Sequence, residues 1–234
     1  MRIFPLGDAA LRIELGEAIA DATLQRVQAA CAALDAAAIP GFVEAVPAYT
    51  TVTVHYAPAA VAAAGAPPED LAGWFANRVE RAMVSASAKS LRKGSVVEIP
   101  VCYGGEFGPD LERVAAQARL APEEVVRRHA AGNYLVHLVG FSPGFPYLGG
   151  MAPELATPRL ARPRAQVPAG SVGIAGAQTG VYPLATPGGW NLIGRTPLRL
   201  FQPEHTPPVR LQPGDRVRFR AIDRDEFSRL EVVP

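Results

Sequence analysis

Lysine is almost missing from this 234-residue chain: Lys89 and Lys93 stand against 21 arginines. With so much alanine present, that bias reads as compositional habit, and it lowers the weight any single arginine carries. Cysteine is as scarce. Cys31 and Cys102 lie far apart, one in a helical pattern and one in a strand pattern. They read as buried free thiols, not as a disulfide or cysteine–metal framework. His55, His129, His137 and His205 lack metal-ligand spacing. The net charge is +1 and no basic run occurs, so nucleic-acid binding has no footing. No apolar run reaches membrane-spanning length, and the opening residues MRIFPLGDAALRIELG hold nothing fit for a signal peptide. A cytoplasmic location is the expectation. Neither a G-x-x-x-x-G-K-S/T loop nor a G-x-G-x-x-G after a strand is present, so no recognised ATP or dinucleotide loop exists.

The most local absence is acid. Between Glu154 and Glu204 there is no Asp or Glu, while Arg159, Arg162, Arg164, Arg195 and Arg199 fall inside that interval. It overlaps a stretch from Gly140 to Thr196 in which 11 of 57 residues are Gly and 8 are Pro. Glycine supplies positive φ and proline fixes φ while removing a donor. Such a stretch is not a helix; it reads as short strands joined by tight turns. The glycines follow no three-residue repeat, which excludes collagen, and interleaved Phe, Tyr, Val, Ile and Trp argue for a packed segment. An acid-free, aromatic, arginine-bearing surface suits an anionic group, since the guanidinium fork grips carboxylate or phosphate at two points. The alternative is a barrel whose outward positions happen to be Arg.

Periodicity supplies the elements. Ile3 to Leu6 and Leu11 to Leu15 read as a hairpin, Asp21 to Ala36 as a helix, and Phe42 to Val46 and Thr50 to Tyr56 as strands. Ala59 to Ala66 reads as a loop and Pro67 to Met83 as a helix, with Trp74 and Met83 facing a core. Ser85 to Gly94 is the linker candidate, which divides an N-terminal ββαββα domain, residues 1–88, from a second domain, residues 89–234. The second opens with a strand from Val96 to Tyr103 and helices from Asp110 to Arg119 and Pro122 to Ala131. A buried strand follows from Asn133 to Phe141, in which His137 reads as a core residue. After the Gly/Pro stretch come strands from Leu198 to Phe201 and from Arg216 to Ile222. Short strands and many turns predict a closed or nearly closed barrel.

Gly140-Phe141-Ser142-Pro143-Gly144 matches G-x-S-x-G behind a buried strand. A nucleophile elbow takes an oxyanion donor from the residue after the serine and continues as a helix. Pro143 has no N–H, and Pro143, Gly144 and Pro146 forbid the helix. No serine hydrolase is read here, and Ser142 stays as a hydrogen-bonding candidate in a loop. The binding candidates are Arg162, Arg164 and Arg195 for carboxylate or phosphate, Gln178 for orienting substrate, and Tyr147 and Trp190 for flat surface with polar handles. About half of the polar set is expected only to satisfy turn carbonyls. No catalytic residue and no metal ligand is assigned.

GFSPGFPYLGG followed by RPRAQVPAGSVGIAGAQTGVYPLATPGGWNLIGRTPL closely resembles the signature of the allophanate hydrolase subunit 1 family, which includes the kinase inhibitor KipI. PLGDAALRIELG, PAYTTVTVHY, IPVCYGGEFGPDLERVA and LQPGDRVRFRAI extend the likeness over nearly the whole chain. The resemblance implies an α+β protein, a small N-terminal α+β sandwich followed by a C-terminal cyclophilin-like β-barrel. It implies a non-autonomous component of an ATP-dependent 5-oxoprolinase, which hydrolyses 5-oxo-L-proline to L-glutamate. ATP is used by the assembly. The implied partners are a C-type subunit, homologous to allophanate hydrolase subunit 2, and an A-type subunit. The alternatives it leaves open are a KipI-like inhibitor that binds a histidine kinase, and a carboxyltransferase-type component of a urea carboxylase or allophanate hydrolase system.

Overall fold

A computed structural model describes residues 1–85 and 94–231. Most of the expected linker, residues 86–93, lies outside the described residues. The chain divides into two compact units, residues 1–93 and 94–234.

In the first unit, strands β1 (Arg2–Pro5), β2 (Ala10–Glu14), β3 (Phe42–Pro47) and β4 (Thr51–Tyr56) form an antiparallel sheet in the order β1-β2-β4-β3. Alternation along β4 drives its placement. Val52, Val54 and Tyr56 are buried, whereas Thr51, Thr53 and His55 are half-buried on the other face. The apolar face packs with helix α1 (Asp21–Ala36) and helix α3 (Leu71–Ser85) around Leu11, Ile13, Val27, Leu34, Phe75 and Val79. Cys31, half-buried at the edge of this core, is a free thiol pushed up to about 12 by burial, with Asp35 adding to the shift.

Strand ends in this unit shift by a residue or so from the sequence reading, and two elements depart from it further. The loop expected from Ala59 to Ala66 contains a short helix, α2 (Pro58–Ala63), which Pro58 starts and Val61 anchors in the core. Helix α3 begins at Leu71, not at Pro67. Asp70 ends the preceding turn and accepts the Gly73 N–H at 2.9 Å, so one of the first orphan donors is satisfied there.

The second unit is a closed barrel. Its strands are β5 (Val96–Tyr103), β6 (Tyr134–Val139), β7 (Pro146–Gly149), β9 (Ser171–Ala175), β10 (Gln178–Val181), β12 (Asn191–Arg195) and β13 (Arg216–Ile222). They run β10-β7-β6-β13-β5-β12-β9, and β9 closes on β10. All contacts are antiparallel except β5 with β13. Helices α4 (Leu111–Ala118) and α5 (Pro122–Ala130) follow β5, and α6 (Arg224–Leu230) follows β13. A ribbon of β8 (Arg164–Val167) and β11 (Thr186–Gly188) stands apart from the barrel. The strand expected from Leu198 to Phe201 is reduced to one bridge, Phe201 to Val209. Pro203, Pro207 and Pro208 lack the donors that a longer ladder needs.

The barrel interior is filled by Ile99, Val101, Val136, Leu148, Val172, Ile174, Val181, Ile193 and Val217, all fully buried. His129 of α5 enters this core with no solvent exposure. The Thr179 hydroxyl gives its hydrogen to the Gly173 carbonyl at 3.0 Å, so at 2.9 Å it accepts from Nε2–H of His129. Nδ1 of His129 then accepts from the Tyr103 hydroxyl at 2.8 Å. The imidazole also stacks on Phe219, with centroids 4.6 Å apart. Every polar atom of the ring is paired while the ring is neutral.

Burial lowers the His129 pKa from 6.5 to about 3. The unfolded chain therefore takes up the proton first as pH falls, so this contribution is complete above about 6.5 and is lost on the way to about 3. Urea unfolding at pH 7, 5.5 and 4.5 is expected to show wild-type stability falling more steeply than that of His129→Leu, by up to about 1.4 kcal/mol per pH unit. Equal slopes in the two proteins would refute a neutral buried imidazole.

Candidate functional site

The Gly/Pro stretch builds a wall of aromatic rings, and the glycines make room for them. A Cβ on Gly180 would meet the Trp190 and Phe145 rings at 3.1 Å and the Pro146 carbonyl at 2.9 Å. One on Gly188 would meet the Tyr182 hydroxyl at 2.5 Å. Phe145 sits at the centre, edge-to-face with Tyr147, Tyr182, Trp190 and Phe141, centroids 5.0 to 5.5 Å away. Aromatic quadrupoles favour such edge contacts by about 0.5–1.5 kcal/mol per pair.

A cavity of about 320 Å³ opens on this cluster, lined by Phe141, Phe145, Tyr147, Arg159, Pro163, Tyr182, Pro187, Gly188, Gly189 and Trp190. Phe141 forms its lip. It is 64% exposed and holds φ at +69°. A left-handed backbone costs a bulky residue about 1–2 kcal/mol, and tight turns hold it there. Ser142 N–H donates to Gly140 O at 2.8 Å, Gly140 N–H to Phe145 O at 3.0 Å, and Phe145 N–H to Ser142 O at 3.0 Å. Burial pushes the Tyr182 phenol up, against a backbone hydrogen bond from Trp190 and the Arg159 charge, which act the other way.

The sequence-predicted residues separate in space. Tyr147 and Trp190 line the cavity, and Ser142 lies beside its lip. The Ser142 hydroxyl is out of water and has no hydrogen-bond partner among the described residues, and its loop runs into β7 instead of a helix. Arg162 is exposed just before β8. Gln178 is half-buried at the start of β10. Arg195 ends β12, where its Nε–H donates to Ala169 O at 3.2 Å. Its guanidinium lies 5.8 and 5.9 Å from the Phe107 and Phe227 ring centres.

Arg164 is bound into the wall. It donates to Asp110 Oδ1 at 2.8 Å, while Asp110 Oδ2 accepts the Leu192 N–H at 2.7 Å. Beside this clamp, Asn191 is fully buried. Its Oδ1 accepts from Arg113 Nε–H at 2.9 Å, and its Nδ2 donates to Ile174 O and Pro158 O, both at 3.0 Å. Sequence reasoning saw Asp110 only as a helix start and did not single out Arg159, the cation at the cavity. The acid-free interval was the one signal that contained it. Among the described residues no helix is long and apolar enough to cross a membrane, and no His, Cys, Asp or Glu cluster is placed to hold a metal ion.

Fold and cavity define an α+β protein whose barrel unit carries a small-molecule-sized pocket in its wall. The chain belongs to the family described as carboxyltransferase domain, subdomain C and D, whose model matches residues 1–211. It is 47% identical over 229 residues to the B subunit of 5-oxoprolinase from Bacillus subtilis (strain 168), covering 97% of this chain and 95% of that protein. It is 44% identical over 218 residues to the B subunit of 5-oxoprolinase from Escherichia coli O157:H7, covering 93% and 94%. Its fold also matches part of K. lactis urea amidolyase, with a TM-score of 0.76 at 16% identity, over 97% of this chain and 15% of that one.

Removing either side of the Asp110–Arg164 clamp leaves a largely buried partner uncompensated. Asp110→Ala and Arg164→Ala are each expected to lose about 2–3 kcal/mol in urea unfolding, the Asp110 variant more because Leu192 N–H also loses its acceptor. Wild-type midpoints in both would remove the clamp's structural role.

Proposed function

We propose that this chain is the B-type subunit of an ATP-dependent 5-oxoprolinase, which opens the ring of 5-oxo-L-proline to give L-glutamate. End-to-end identity of 47% and 44% to two proteins named as the B subunit of 5-oxoprolinase carries the reading. The chain acts with partners, a C-type subunit homologous to allophanate hydrolase subunit 2 and an A-type subunit, in the cytoplasm. Opening an unstrained lactam near neutral pH is uphill, so ATP hydrolysis drives it. The sequence offers no lysine-bearing phosphate loop, so nucleotide contacts fall to the partners.

Within this chain, Tyr147 and Trp190 supply the apolar wall, and the exposed Arg162 is the polar group offered to substrate or to a partner's reacting groups. Arg164 contributes by fixing the wall.

The test is reconstitution from separately purified chains, reading glutamate release that depends on ATP. Activity is expected only when this chain is combined with both the C-type and the A-type partner, and it should fall by about tenfold or more in Arg162→Ala. Full activity from the two partners alone, or ATP hydrolysis by the assembly that is stimulated by urea or allophanate and not by 5-oxo-L-proline, would overturn the proposal.

A further inference from the structure

We propose that the aromatic cavity of the barrel unit is a binding site for small ring-bearing carboxylates, with Phe145, Tyr182 and Trp190 seating the ring and Arg159 gripping the carboxylate. The lining holds one guanidinium and no acidic side chain. Arg159 is exposed, and among the described residues it makes no hydrogen bond or ion pair. Its fork is therefore available, in contrast to that of Arg164, which Asp110 occupies.

The backbone beneath the cation is held in place. On one side Asn191 Nδ2–H donates to Pro158 O at 3.0 Å, and on the other Leu160 N–H donates to Gly189 O at 2.8 Å. The backbone carrying Arg159 is thus pinned to the strand and turn that form the cavity. Phe141, kept at φ +69° over the rings, covers one side of the opening. A volume of about 320 Å³ lies at the low end for small-molecule pockets, roughly 300–1,000 Å³. It suits one five- or six-membered ring with a carboxylate, not a nucleoside triphosphate, whose phosphates would meet a single cation. The identity of the natural ligand rests on the 5-oxoprolinase reading, since 5-oxo-L-proline is a five-membered ring with one carboxylate. The pocket's chemistry does not rest on it.

Calorimetric titration of the isolated full chain with 5-oxo-L-proline, benzoate, neutral 2-pyrrolidinone and ATP tests the site. The two carboxylates are expected to bind with Kd of about 1 mM or tighter, and 2-pyrrolidinone about tenfold more weakly. Arg159→Gln should weaken the carboxylates by about tenfold or more without moving the thermal midpoint. Phe141→Ala, a change at an exposed lip, should weaken them as well. Absent carboxylate binding, equal binding by wild type and Arg159→Gln, or ATP binding that competes with benzoate would each overturn the proposal. An active assembly whose KM for 5-oxo-L-proline is unchanged by Arg159→Gln would remove this pocket from the reaction and leave the proposed function standing. Carboxylate binding by a chain whose assembly does not open 5-oxo-L-proline would do the reverse.

Discussion

Phe145 lies fully buried among four other aromatic rings, and the strand beneath it carries no side chain at Gly180. That contact, ring edge on bare backbone, sets the shape of everything around it. A methyl group at Gly180 would press on Trp190, Phe145 and the Pro146 carbonyl together. Trp190 is fixed in turn above Gly173, and Tyr182 above Gly188. The cavity is what remains when rings are packed this tightly from one side only. Edge-to-face contacts hold each ring against its neighbour.

Polar pins act behind that wall. Asp110 reaches from the segment before α4 to the Leu192 N–H of β12 and to Arg164 at the start of β8. Asn191 links Arg113 of α4, Ile174 of β9 and the Pro158 carbonyl. Each pin joins parts of the chain far apart in sequence, and each is satisfied on every atom it brings into the interior. The arginine-only stretch is therefore not uniformly cationic in space. Asp110, from outside the interval, neutralises Arg164, and Glu231 lies 4.0 Å from Arg195. Arg159 keeps its charge at the cavity.

Local periodicity made most of the fold legible. α1, β5 and β13 occupy the spans their patterns predict, because alternation or helical spacing there coincides with burial on one face. Local capping chemistry moved the start of α3 to the residue after Asp70, and a short alanine-rich segment formed α2 because Val61 had a core to enter. The site was less legible. Tyr147 and Trp190 could be picked as flat surface, since aromatics stood out against the glycine background. Arg164 and Arg159 look alike in sequence, both within an acid-free run. Only the 54-residue separation closed between Asp110 and Arg164 tells them apart, and no local pattern encodes it.

His129 shows why the cavity lies in the wall and not inside the barrel. With Tyr103, Thr179 and Phe219 it closes the interior on paired hydrogen bonds and stacked rings, against the buried core. A seven-stranded barrel filled in this way has no lumen to offer a substrate. The cavity lies instead on an outer face, where its lining is an aromatic cup with one cation. A cup open to solvent on its far side is a half-site.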